Sequence, residues 1–210
     1  LFAQSTVPTY SGKFDAIDRL LEPPSPYRTA SGAPGAEYWQ QRANYKIEAS
    51  LDEEKDELTG KETITYFNNS PDDLKILWIQ LEQNVNRAEN EDFAGIMGQV
   101  RDSISSRHIQ LLLRPDNFKA GTEVLSVTYT DGKAILYIVN NTMMRLELPT
   151  PLLSGGQITF NISWKNYITD RAKFLLSREG FEYFPSDDNK VFLLGHWFPR
   201  MAVYNDTEGW

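Results

Sequence analysis

Gln157-Ile158-Thr159-Phe160-Asn161-Ile162-Ser163-Trp164 is the stretch that decides the fold. Ile158, Phe160, Ile162 and Trp164 alternate with Thr159, Asn161 and Ser163, so a period of two sends every large apolar group to one side of an extended chain. A helix would scatter the same groups around its axis. The segment therefore predicts a strand with one buried face. Gly155-Gly156 before it is the turn that feeds it.

The same grammar extends outward. Upstream, Met144, Leu146 and Leu148 alternate before Pro149 and Pro151. Leu125, Val127 and Tyr129 are read as one face of a further strand. Thr130-Asp131-Gly132-Lys133 then separates it from the apolar run Ala134 to Val139, and Asp-Gly between two such runs predicts a hairpin. Tyr45 to Leu51 alternates as a strand with one wet face, and Asp52-Glu53-Glu54 follows as a turn. Leu58 to Asn68 is rich in Thr and aromatic residues, Asn69 to Asp73 is a turn, and Leu74 to Leu81 is apolar on both faces. Short strands separated by turn signals predict an all-β sandwich of twisted, mainly antiparallel sheets.

Residues 1–44 read differently. Phe14, Ile17, Leu20 and Leu21 recur at helical spacing until Pro23-Pro24-Ser25-Pro26 stops them, Arg28 to Gly35 is a loop, and Ala36 to Ala43 is expected to form a second short helix with Tyr38 and Trp39. Two units follow: an N-terminal extension over 1–44 with one or two short helices, and a β domain over 45–210. Asn84 to Gly121 follows no clear pattern, apart from a possible strand at Ile109 to Leu113.

Charge and composition exclude several functions. The 210 residues carry a net charge of −8 without a dense Lys/Arg cluster, the wrong sign for gripping a phosphate backbone, so no nucleic-acid partner is expected. Apolar runs such as Ala134 to Val139 fall far short of the roughly 20 residues of a membrane helix, so no transmembrane segment is expected. Cysteine is absent, which removes disulfides and thiol chemistry. The opening Leu1-Phe2-Ala3-Gln4-Ser5 fits the stub of a secretory signal and points to a periplasmic or secreted protein, with a cytoplasmic one as the alternative.

Catalytic constellations are missing. His108 and His196 are isolated and lie in no His-Glu-x-x-His frame, so no metal site is expected within the chain. The carboxylate pairs Glu53/Glu54, Asp72/Asp73 and Asp187/Asp188 fall in predicted turns and read as solvated charge. The Asn68, Asn140, Asn161 and Asn205 sequons read as chance matches. No nucleophile elbow, phosphate loop or dinucleotide fingerprint is present. The densest unusual segment is Leu194 to Trp210, with Trp197, Phe198 and Trp210 expected to be exposed; it reads either as a core loop or as a surface facing another domain.

Several stretches resemble a known family. Tyr45-Lys46-Ile47, Leu58 to Tyr66, Asn69-Ser70-Pro71 and Leu77-Trp78-Ile79-Gln80-Leu81 resemble the opening strands of gluzincin zinc aminopeptidases of the aminopeptidase N group. Leu148 to Gln157 with Ile158 to Trp164 is similar to a later strand of that family. Trp197-Phe198-Pro199-Arg200-Met201-Ala202-Val203-Tyr204 and Gly209-Trp210 resemble a segment of its bacterial branch.

The resemblance covers about Glu37 to Trp210, without Asn84 to Gly121. It implies a saddle-shaped, noncatalytic N-terminal β domain, truncated at its C-terminal end, that packs on a downstream catalytic domain and walls a cleft for peptide substrates. Zinc and the catalytic groups are expected in that other domain, so this chain is assigned no cofactor and no catalytic residue. Asp188 to Leu194, where family members can carry a Gln or Glu for the substrate's amino group, has neither. His196, Arg200, Tyr204 and Asp206 are the candidates for a face toward the catalytic domain. The alternative is a free-standing β-sandwich that binds peptide, carbohydrate or protein.

Overall fold

The computed structural model describes residues 24–87, 103, 106, 119–172 and 179–210. The helical pattern around Phe14 to Leu21, the strand expected at Ile109 to Leu113 and His108 lie outside the described residues.

The described residues form ten strands: β1 (Arg42–Asp52), β2 (Glu57–Phe67), β3 (Leu74–Gln80), β4 (Gly121–Tyr129), β5 (Tyr137–Asn140), β6 (Met143–Leu152), β7 (Gln157–Tyr167), β8 (Gly180–Phe184), β9 (Asn189–Leu193) and β10 (Arg200–Met201). They form two four-stranded sheets, ordered β1-β2-β7-β4 and β10-β3-β6-β5, and a two-stranded β8-β9 sheet. The pairings between these strands are antiparallel. The fold is thus the all-β sandwich that the alternating patterns predict.

β7 is central because it pairs with β2 on one side and β4 on the other. Its Phe160, Ile162 and Trp164 are fully buried, and Thr159, Asn161 and Ser163 lie on the opposite face. On that outer face Thr63 donates to Asn161 Oδ1 at 2.7 Å and Thr65 pairs with Thr159 at 3.1 Å, so cross-strand hydroxyl bonds align the register. Inward, Ile64, Tyr66, Phe160 and Ile162 meet Leu77, Ile79, Met144 and Leu146 of the second sheet in one core. Each fully buried aliphatic group contributes about 2 kcal/mol of burial.

Three local expectations are corrected. Ala36 to Ala43 forms no helix: after a turn the chain runs extended into β1, where Arg42 and Ala43 pair with Phe67 and Tyr66. Strand pairing, together with the Glu37 amide donating to Pro26 at 3.0 Å, outweighs weak helical propensity. Leu125 does not share a face with Val127. Val124 pairs with Trp164 and Ser126 with Ser163, which makes Leu125 the extra residue of a bulge and leaves it 49% exposed.

The run Ala134 to Val139 is the third. The Asp-Gly turn is there: Gly132 takes φ +86°, and the Tyr129 amide donates to Lys133 at 2.8 Å. The returning chain pairs with β4 only briefly, through a Thr128–Ala134 bridge and the Ile135 amide on Val127. It then crosses to the other sheet, where β5 pairs with β6. In β6, the stretch Leu148-Pro149-Thr150-Pro151 lies against the single Lys75 of β3, as expected where prolines cannot donate to a ladder.

Candidate functional site

The segment Leu194 to Trp210 folds back along the sandwich. Trp197 packs on Trp164 at 5.9 Å between ring centroids, and Phe198 stands edge-on to Tyr45 at 5.6 Å. Arg200 and Met201 then pair with Gln80 and Ile79 as the edge strand of the second sheet, and the Ala202 amide donates to Trp78 at 2.8 Å. Beyond the strand, Tyr204 stacks on Trp39 at 5.7 Å and Trp210 on Tyr66 at 6.2 Å. Trp197, Phe198 and Trp210 are therefore half-buried against the core, which corrects the expectation that they are exposed.

The four candidate residues are spread along this segment, and each has a partner within the chain. His196 Nδ1 lies 2.9 Å from Glu179. Arg200 donates to Glu82 at 2.5 Å. The Tyr204 hydroxyl donates to Asp72 at 2.9 Å; burial, and then the Asp72 carboxylate, push its pKa up to about 12. Asp206 accepts two bonds from Arg28, at 2.7 and 2.8 Å, and these hold its carboxyl below the usual carboxylate range. They act as separate ties that fix the segment, and they do not meet at one point. The three carboxylate pairs all sit in turns, as read from the sequence. Among the described residues no group of His, Asp and Glu gathers as a metal site.

Two features were missed at the level of sequence. The first is a cavity of about 300 Å³ between the Tyr38 to Tyr45 segment and Met201 to Asn205. It lies at the mouth of the sandwich, where edge strands β1 and β10 approach each other; the Met201 amide donates to the Tyr45 hydroxyl across the gap at 2.9 Å. Rings of Tyr38, Trp39, Tyr45, Tyr66 and Tyr204 line it. No signal short of knowing which edges meet could have found it.

The second is Glu62, 1% exposed, with both carboxylate oxygens buried and without a hydrogen-bond partner. Burial alone pushes its pKa up to about 8. Here a signal existed. Glu62 is in phase with Leu58, Ile64 and Tyr66, so the alternation that places those residues inside places Glu62 inside as well.

No family profile matches the chain, and no curated protein does. Among solved structures, the chain is similar to a point mutant of an M1 zinc metallopeptidase from Deinococcus radiodurans, with 12% identity and a TM-score of 0.39 over 71% of this chain and 25% of that one. A second structure of that mutant, bound to a Tyr-Ser-Ala substrate, gives 13% identity and a TM-score of 0.39 over 71% of this chain and 26% of the other. The chain thus spans about a quarter of the length of these matches. Similarity at this level carries no argument about function.

Proposed function

We propose that this chain is a noncatalytic N-terminal β domain of a zinc-dependent aminopeptidase, packing on a catalytic domain outside these residues and forming one wall of its peptide cleft. The sequence resemblance of Trp197 to Tyr204 and Gly209-Trp210 to the bacterial branch of that family supports the reading. The observation that carries it is the open face of the β8-β9 sheet. Val191 and Leu193 are 53% and 51% exposed there, and Phe184 on the same face is 43% exposed, three apolar groups beside Glu182, which pairs with Arg171, and Asn189, a mixed surface suited to a packed neighbour.

In this reading the ties of His196, Arg200, Tyr204 and Asp206 hold the segment in the shape that faces the catalytic domain. Wall and scaffold are positioning roles: they confine a peptide near the reacting groups without touching the bond that breaks. The domain itself needs no metal.

The test is Val191→Glu with Leu193→Glu, made in the whole protein and in residues 1–210 alone. The reading expects the short chain to keep its melting temperature and the whole protein to lose peptidase activity at least tenfold. Unchanged activity of the whole protein would contradict it.

A further inference from the structure

β1 ends the first sheet, and among the described residues no backbone hydrogen bond reaches it beyond its ladder with β2. Its outer edge is thus open to a further strand. Proteins usually blunt such an edge by shortening it, bulging it or placing a proline in it. The other edge strands here are treated so: β5, β8, β9 and β10 have two to five residues, and β4 carries the Leu125 bulge. β1 runs 11 residues without proline, and its register with β2 is unbroken from Arg42 to Asp52.

The strand that fits this edge is written in its own sequence, Arg42-Ala43-Asn44-Tyr45-Lys46-Ile47-Glu48-Ala49-Ser50-Leu51-Asp52. Read outward from Ile47 in both directions, it complements itself. An antiparallel second copy centred there sets Lys46 opposite the partner's Glu48 and Arg42 opposite the partner's Asp52, each twice. On the inner side Ile47 meets the partner's Ile47, continuing the row that Ala43, Ile47 and Leu51 turn toward the core. Residues that face each other share parity, so the outward backbone groups of one strand meet those of the other. Moving the axis by one residue, to Lys46 or to Glu48, opposes two lysines or two glutamates, so like charges guard the register on both sides.

Lys46 and Glu48 decide the pairing. Their side chains are 82% and 76% exposed, and within one chain they approach only to 3.8 Å. Arg42 lies over the Phe67 ring, and Asp52 accepts from Lys55 in its own turn, so the outer pair avoids repulsion and adds less attraction.

We propose that two copies of this chain associate through β1, antiparallel about a two-fold axis at Ile47, extending the β1-β2-β7-β4 sheet from four strands to eight. The inference does not rest on the aminopeptidase reading, and it leaves the β8-β9 face unused.

Sedimentation equilibrium of residues 1–210 is the test, at about 0.15 M salt to screen the −8 charge of each chain. The expected result is a monomer–dimer equilibrium with a dissociation constant below about 100 μM, in keeping with the small area of one strand pair. Lys46→Glu should weaken the dimer at least about tenfold, because it opposes like charges twice. Lys46→Glu combined with Glu48→Lys should restore it, because the exchanged pair is complementary again. Val191→Glu with Leu193→Glu should leave it intact. The chain has no cysteine, so Ser50→Cys takes a single spin label; pulsed dipolar spectroscopy should place the two labels of a dimer about 20 Å apart, six residues of strand.

A dissociation constant above about 100 μM overturns the proposal. So does a dimer that Lys46→Glu leaves unchanged, or one that the double exchange does not restore. A dimer dissolved by Val191→Glu with Leu193→Glu would belong to the β8-β9 face, and label distances of about 14 or about 27 Å would show a shifted register; either result refutes the assignment.

Discussion

Trp164 lies across Gly60 so closely that a Cβ added at position 60 would stand 2.1 Å from Trp164 Cζ2. The two residues are direct partners in the β2-β7 ladder, and the absent side chain of one makes room for the ring of the other. Gly60→Ala must therefore displace a fully buried Trp from the centre of the core. The expected loss is about 3 kcal/mol, in the upper range for overpacking, read as a lower urea midpoint with unchanged slope. A loss below about 0.5 kcal/mol would show that the ring moves freely.

Glu62 makes stability depend on pH. Its folded pKa, about 8, lies above the ordinary carboxylate value of 4.5, so the folded state holds a proton that the unfolded chain releases. Unfolding free energy should therefore fall by about 1.4 kcal/mol per pH unit between those values and level off above them. Glu62→Gln has no proton to release. Its advantage over the parent should grow from pH 5 to pH 8, as measured by urea unfolding at each pH. Parallel profiles for the two proteins would contradict the burial of an ionisable group at this position.

Asn68 is buried at the end of β2, and its amide is fully used. It donates to Asp72 at 2.7 Å and to Leu152 at 3.1 Å, and accepts from Gln41 and Ser70 at 2.9 and 2.6 Å. Asn68→Ala strands those partners inside the protein and should cost about 3 kcal/mol by urea unfolding. The same burial predicts that Asn68, despite its sequon, stays unmodified in the folded protein; mass spectrometry of protein secreted from a glycosylating host checks this.

The Arg28–Asp206 pair joins positions 178 residues apart. Asp206→Asn should loosen the loop from Ser25 to Gly35, seen as faster hydrogen exchange at the Thr29 and Gly35 amides, which bond to Ala33 and Tyr27. Because Arg28 holds the Asp206 carboxyl low, the tie is present above the unfolded carboxylate pKa and lost as pH falls through the folded one. Acidifying the parent protein should reproduce the variant's loosened loop. Equal exchange rates in the two proteins near neutral pH would remove the tie from the account.

Alternation made β6 and β7 legible, because there the residue facing the core is set by parity alone, and β2 was legible from its Thr and aromatic content. Parity fails where an extra residue enters, as at Leu125, and it cannot say which sheet a strand joins. Ala134 to Val139 leaves one sheet for the other after a single bridge, a choice made by β6 and not by its own residues. The exposed reading of Trp197, Phe198 and Trp210 failed for a similar reason: the surfaces that cover them, Trp164, Tyr45 and Tyr66, come from strands far away in sequence. The cavity depends on two sheet edges meeting, a relation between β1 and β10 that no local pattern carries. Glu62 was legible and overlooked, since a charged residue in phase with a buried row is itself the signal.

The most direct measurement compares the whole protein encoded by the reading frame that contains this chain with residues 1–210 alone. Zinc content and the release of aminomethylcoumarin from aminoacyl conjugates are measured in both, with and without a chelator. The account predicts about one zinc per chain and chelator-sensitive hydrolysis in the whole protein, with neither in residues 1–210. A whole protein without zinc and without hydrolysis, or hydrolysis by residues 1–210 alone, would contradict it.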